Sequence, residues 1–112
     1  MGDLEGNWIV THLDKEELPP WAGLDLRFEE AEFRVSGSAG CNRYFGRYTI
    51  DPAGSGMQFG EMAVTRMMCA PEVMRWENAF LLAFTQVTHY QVGGDELLLQ
   101  QGRNVLVRAR KA

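Results

Sequence analysis

Cys41 and Cys69 are the only cysteines in the chain, and His12 and His89 the only histidines. Two thiols permit a single disulfide. A zinc site would need two further ligands, and the histidines lack the short spacings that such sites use. A nucleophilic cysteine would need a histidine held beside it as a base. His12 falls on an apolar strand face, the setting of an ordinary half-buried residue. A disulfide or close thiol pair between Cys41 and Cys69 is the favoured reading, and two unrelated buried thiols stay open. The carboxylates are spread along the chain and form no pair suited to acid–base work. The glycine-rich turn Gly37–Gly40 lacks the lysine and the strand-to-helix setting of a phosphate loop. No catalytic residue, metal ligand or cofactor is expected.

Three residues beside the cysteines are read as organisers of their loops. Gly40 closes a turn in which glycine takes backbone angles that other residues resist. Asn42 can satisfy its own turn backbone, and Arg66 offers five donors suited to carbonyls at a loop crossing. Met62, Met67, Met68 and Met74 cluster around the next element. Methionine fills irregular gaps in a core, and it also lines adaptable binding surfaces. Phe45 is an aromatic on the polar side of its strand. With Trp21 and Met67 it forms the candidate apolar binding surface.

Periodicity supplies the elements that hold these residues. Leu24–Glu29 alternates strictly, with Leu24, Leu26 and Phe28 on one face, the pattern of a half-buried strand. Asn7–Leu13, with Trp8, Val10 and His12 sharing a face, reads as a strand too. Glu32–Ser36, with Phe33 and Val35 inward, pairs with Leu24–Glu29 as a hairpin. Arg43–Ile50 and Met57–Gly60 follow. From Pro71 the period changes: Val73, Trp76, Phe80, Ala83, Phe84 and Val87 recur at three- and four-residue steps. The spacing predicts one amphipathic helix over 71–87, with Arg75, Glu77, Asn78 and Gln86 on its polar face. His89–Val92, Glu96–Gln100 and Asn104–Arg110 complete the chain, joined by glycine-containing turns. The expected fold is mainly β: a curled antiparallel sheet or small barrel of about eight strands with one inserted helix. A barrel of that size is filled by side chains or holds one small ligand.

The 112 residues suit one domain spanning 1–112. Hydrophobic residues make up 46% and charged ones 23%, an ordinary globular balance. The formal charge of −4 opposes nucleic-acid binding unless a local basic patch forms. No apolar run is long enough for a membrane-spanning helix. No signal peptide is seen at Met1-Gly2-Asp3, and Gly6 stands where a myristoylation signal would want Ser or Thr.

The segments GCNRYFG (Gly40–Gly46) and TRMMC (Thr65–Cys69), the latter followed by Pro71 and a helix containing Glu77, resemble the two motifs of the META domain, the HslJ-like family. The opening GNW (Gly6–Trp8) and the late GDELLLQ (Gly94–Gln100) are similar to its first strand and closing hairpin. The resemblance covers nearly the whole chain. It implies a small β-barrel-like domain with one helix, in a family with many envelope or secreted members, some linked to heat shock, antibiotic resistance or virulence. It implies no reaction. Both cysteines lie in the family-like loops, so those loops are expected to touch. The function expected is a non-enzymatic binding or accessory module, acting in the envelope under stress and monomeric, with an unknown protein or a small apolar ligand as partner. The alternative is a barrel that carries an apolar ligand such as a lipid or drug-like molecule. A thiol-dependent enzyme is the third reading.

Overall fold

Alternating apolar residues form strands here because each strand buries one face only. The computed structural model describes residues 3–112. Met1 and Gly2, part of the start read for a leader or an acylation signal, lie outside the described residues. The strands are β1 (Gly6–Leu13), β2 (Glu16–Glu17), β3 (Asp25–Glu29), β4 (Arg34–Ser38), β5 (Arg43–Ile50), β6 (Met57–Phe59) and β7 (Ala63–Val64). After the helix α1 (Pro71–Phe84) come β8 (His89–Gly93), β9 (Glu96–Gln101) and β10 (Asn104–Lys111). They form one sheet in the order β6-β5-β4-β3-β1-β10-β9-β8, with β2 added to β1 and β7 to β5. The ladders are antiparallel. The two ends of the sheet meet where the Met57 N–H donates to the Thr88 carbonyl at 2.9 Å and the Tyr90 N–H to that of Ser55 at 3.0 Å. The result is a nearly closed barrel.

The interior is filled by side chains. Trp8, Leu26, Phe28, Val35, Tyr44, Tyr48, Leu97 and Leu99 come from the sheet, and Phe80 and Phe84 from α1. The helix starts at a proline, whose missing N–H costs nothing in the first turn, and places Glu72 near its positive end. It stops at Phe84, three residues short of the expected limit. The Thr85 N–H donates to Leu82 O at 3.0 Å and the Gln86 N–H to Ala83 O at 2.9 Å, which tightens the last turn. Val87 is still buried, so the apolar stripe outruns the helix.

Two inward positions differ from simple alternation. A bulge between Val10 and His12 resets β1 against β10. Leu13 takes the buried place and His12 is half-buried, as an extra residue in a strand shifts every later side chain to the other face. Phe33 is not inward but half exposed; it caps a 3-10 turn at φ 54° before β4 begins. β2 and β7 have two residues each, too short for any period to show.

Gly46 lets the chain double back. A Cβ there would lie 2.6 Å from Met62 Sδ and 3.0 Å from Glu61 O. The segment between β6 and β7 thus crosses directly over β5.

Tyr48 is buried, and its hydroxyl has no hydrogen-bond partner among the described residues. Burial first, then the carboxylates of Glu30 and Glu5 and the Tyr90 phenol, push its pKa up to about 12. The folded state thus holds the neutral phenol more tightly than the unfolded chain does. That contribution to stability is full below about pH 10 and is lost as pH rises through about 12. Tyr48→Phe removes an unsatisfied buried group, so it should raise stability at neutral pH by about 1 kcal/mol and flatten the alkaline decline. Urea unfolding across the alkaline range checks both; an unchanged alkaline slope would assign the decline to other groups.

Candidate functional site

The cysteine loops and the helix meet at one mouth of the barrel. Cys41 and Cys69 form a disulfide with Cα atoms 5.9 Å apart and a sequence separation of 28. Closing a loop of that span is worth roughly 3–4 kcal/mol on chain-entropy grounds. The bond therefore joins the β4–β5 turn to the segment that leads into α1.

Asn42 lies at the centre and is 3% exposed. Its side-chain amide donates to Met67 O at 3.0 Å and to Glu77 Oε2 at 2.7 Å. Its side-chain oxygen accepts from the Thr65 hydroxyl at 3.0 Å and from the Met67 N–H at 2.6 Å. Both amide hydrogens and both acceptor sites are used, the full capacity of the group. Thr65 adds a ladder-like contact, since its hydroxyl accepts from the Arg43 N–H and its own N–H donates to Arg43 O.

Glu77 does not lie on the solvated helix face, where the helical spacing puts it, but is 2% exposed. Its Oε1 accepts from the backbone N–H groups of Cys41 and Asn42, at 3.1 and 2.7 Å. A turn that points several N–H groups at one spot makes a nest for an anion, and here the anion is supplied by the helix. The signal available in sequence was positional: Glu77 follows Trp76 and precedes Phe80 by three, beside the apolar stripe.

Arg66 does not organise the loops as expected. Its side chain is exposed and forms no hydrogen bond or ion pair among the described residues. The cross-linking falls to Asn42, Thr65 and Glu77. Gly40 does sit in the turn, at φ +109°, a backbone state that L side chains rarely adopt. The ring nitrogens of His12 and His89 hydrogen-bond to adjacent threonines, Thr11 and Thr88. No cluster of three or more His, Cys, Asp or Glu with metal-binding geometry forms among the described residues.

The three candidate surface residues are all exposed: Trp21 by 56%, Phe45 by 63% and Met67 by 58%. They do not share one depression. Phe45 lines a cleft of about 670 Å³ on the outer face of β4 and β5, with Arg34, Arg47 and Glu61. Met67 lines a groove of about 400 Å³ between α1 and the segment 64–68. Trp21 lines neither and stands on the loop before β3.

These features define a small antiparallel β-barrel, plugged by one helix and knotted at one mouth by a disulfide and a buried Asn–Glu pair. The sequence pattern of the META domain matches residues 2–112, and the chain belongs to the META domain family. Its fold is similar to the NMR structure of a protein from Burkholderia xenovorans, with a TM-score of 0.74 and 22% identity over 97% of this chain and 83% of that one. It is also similar to the crystal structure of a DUF4847 family protein from Bacteroides vulgatus, with a TM-score of 0.68 and 16% identity over 97% and 94% of the two chains. At these identities the likeness is one of fold. No curated protein matches the chain. No helix among the described residues is long and apolar enough to cross a membrane.

Proposed function

We propose that this domain is a non-enzymatic binding or accessory module that works through its surface. The observation that carries the reading is the arrangement at Met67. Asn42 clamps its main chain at both N–H and carbonyl, while its side chain is 58% exposed. A fixed backbone beneath an exposed, adaptable thioether suits a preformed apolar docking site. Phe45 adds a second exposed apolar contact on β5.

A ligand carried inside the barrel is the weaker reading, because Trp8, Phe28, Tyr44, Tyr48, Phe80 and Phe84 fill the interior. Thiol chemistry is weaker still, because both sulfurs are committed to the disulfide. That bond favours an oxidising compartment such as the bacterial envelope, the setting that the family resemblance implies. The partner in this reading is a protein or small apolar ligand, and the net charge of −4 disfavours nucleic acid.

Complementation tests the proposal. In a strain lacking the gene and challenged with an envelope-active antibiotic, Met67→Gln, Phe45→Gln and Trp21→Gln should each keep the Tm within about 3 °C yet fail to restore growth. If these variants restore growth while folded Cys41→Ser or His12→Ala variants do not, the surface reading is wrong.

A further inference from the structure

Among the residues lining the Met67 groove, only Arg66 carries an uncommitted charge. The other charged lining residue, Glu77, accepts three N–H donors through its two oxygens. Asn42 has its full set of partners. The Thr65 hydroxyl donates to Asn42 and accepts from Arg43. The polar lining is therefore turned inward and offers little to a ligand. Val64, Met67, Met68, Met74 and Leu81 supply the rest. Met68, at 85% exposed, is freer than Met67.

What faces solvent is an aliphatic, thioether-rich trough with one cation at its lining. Methionine side chains, unbranched and with three rotatable bonds, can adapt to a flexible hydrocarbon chain laid along them. A guanidinium presents paired donors that match a carboxylate. A volume of about 400 Å³ falls within the range of small-ligand sites. We infer that this groove binds an unbranched aliphatic carboxylate, its chain along the methionines and its carboxylate at Arg66. For its role in the cell the inference rests on the surface reading above, which it deepens by naming the occupant. It also gives Arg66 a use that the loop network does not.

Amide shifts of the isotopically labelled domain, followed by NMR during titration with decanoate, test it. Decanoate should bind saturably and move the signals of 64–68 and 74–81. Neutral decanol, with the same chain, should bind roughly two- to fivefold more weakly, as expected for one exposed charge contact. Arg66→Gln should abolish that preference, Arg66→Lys should keep part of it, and Met67→Gln should weaken both ligands alike. Equal binding of decanoate and decanol to the parent overturns the inference, as does a preference that survives Arg66→Gln. Shifts centred on Phe45 overturn it too. If decanoate does not bind while Met67→Gln still fails to complement, the inference falls and the surface reading stands. If decanoate binds as described while Met67→Gln complements fully, the ligand site stands and the surface reading falls.

Discussion

Replacing Glu77 with Ala is expected to destabilise the domain by about 3–5 kcal/mol, a large part of the total stability of a chain this size. The carboxyl group accepts from three donors, two of them the backbone N–H groups of Cys41 and Asn42. Removing it strands those donors at a site that is 2% exposed. Each buried donor left unpaired costs about 1–3 kcal/mol, and the terms are not additive because the three share one site. Glu77→Gln should cost less. Its carbonyl can still serve the two backbone donors, but its amide then opposes the Asn42 amide, donor against donor. Asn42→Ala should overlap with Glu77→Ala, so the double variant loses less than the sum. Urea denaturation of the four variants and the parent at one pH measures all of this. A loss below about 1 kcal/mol for Glu77→Ala would mean that the loop amides find other partners, and the knot would not depend on the helix.

Strands were legible wherever a buried face met a solvated one for four residues or more. Leu24, Leu26 and Phe28 sit inward as their alternation required. The helix was legible from the stripe Trp76, Phe80, Ala83 and Phe84, and its overrun to Val87 reflects a turn that stays tight after the helix ends. What failed to show depends on contacts between distant parts of the chain. The bulge at Val10 and His12 is set by pairing with β10, about a hundred residues away. The exposure of Phe33 follows from a left-handed cap that only Gly and Asn advertise in sequence. At the mouth, residue type pointed to Asn42 and Arg66 alike, the one able to bond its own turn backbone and the other able to bond carbonyls at a loop crossing. The structure separates them by reach. Asn42 lies beneath both loops, and Arg66 points to solvent. Glu77 was hidden because a charged residue on a helix is usually solvated. Only the turn of N–H groups at Cys41 and Asn42, formed by another segment, makes its burial favourable.

Phe84→Ala should also cost about 3–5 kcal/mol, the range for removing a large aromatic from a close-packed core. The ring is 2% exposed. Its centroid lies 5.1 Å from that of Tyr44, 4.8 Å from Phe59 and 4.8 Å from Phe80. It therefore joins β5, β6 and α1 at a single point. Two of those partners are not free to close the space, because Tyr44 is held by a 2.7 Å hydrogen bond from its hydroxyl to Asp25 O and Phe80 by its own contact with Tyr44. A cavity that cannot collapse lies at the costly end of the range. Leu82→Ala, two residues away on the exposed face, serves as the control and should shift stability by no more than about 0.5 kcal/mol. Phe84→Leu, which keeps most of the volume, should fall between the two. Chemical denaturation of the three variants gives the order directly. If Phe84→Ala and Leu82→Ala prove alike, the helix does not seat its aromatic stripe in the barrel, and the architecture described for its interior is wrong.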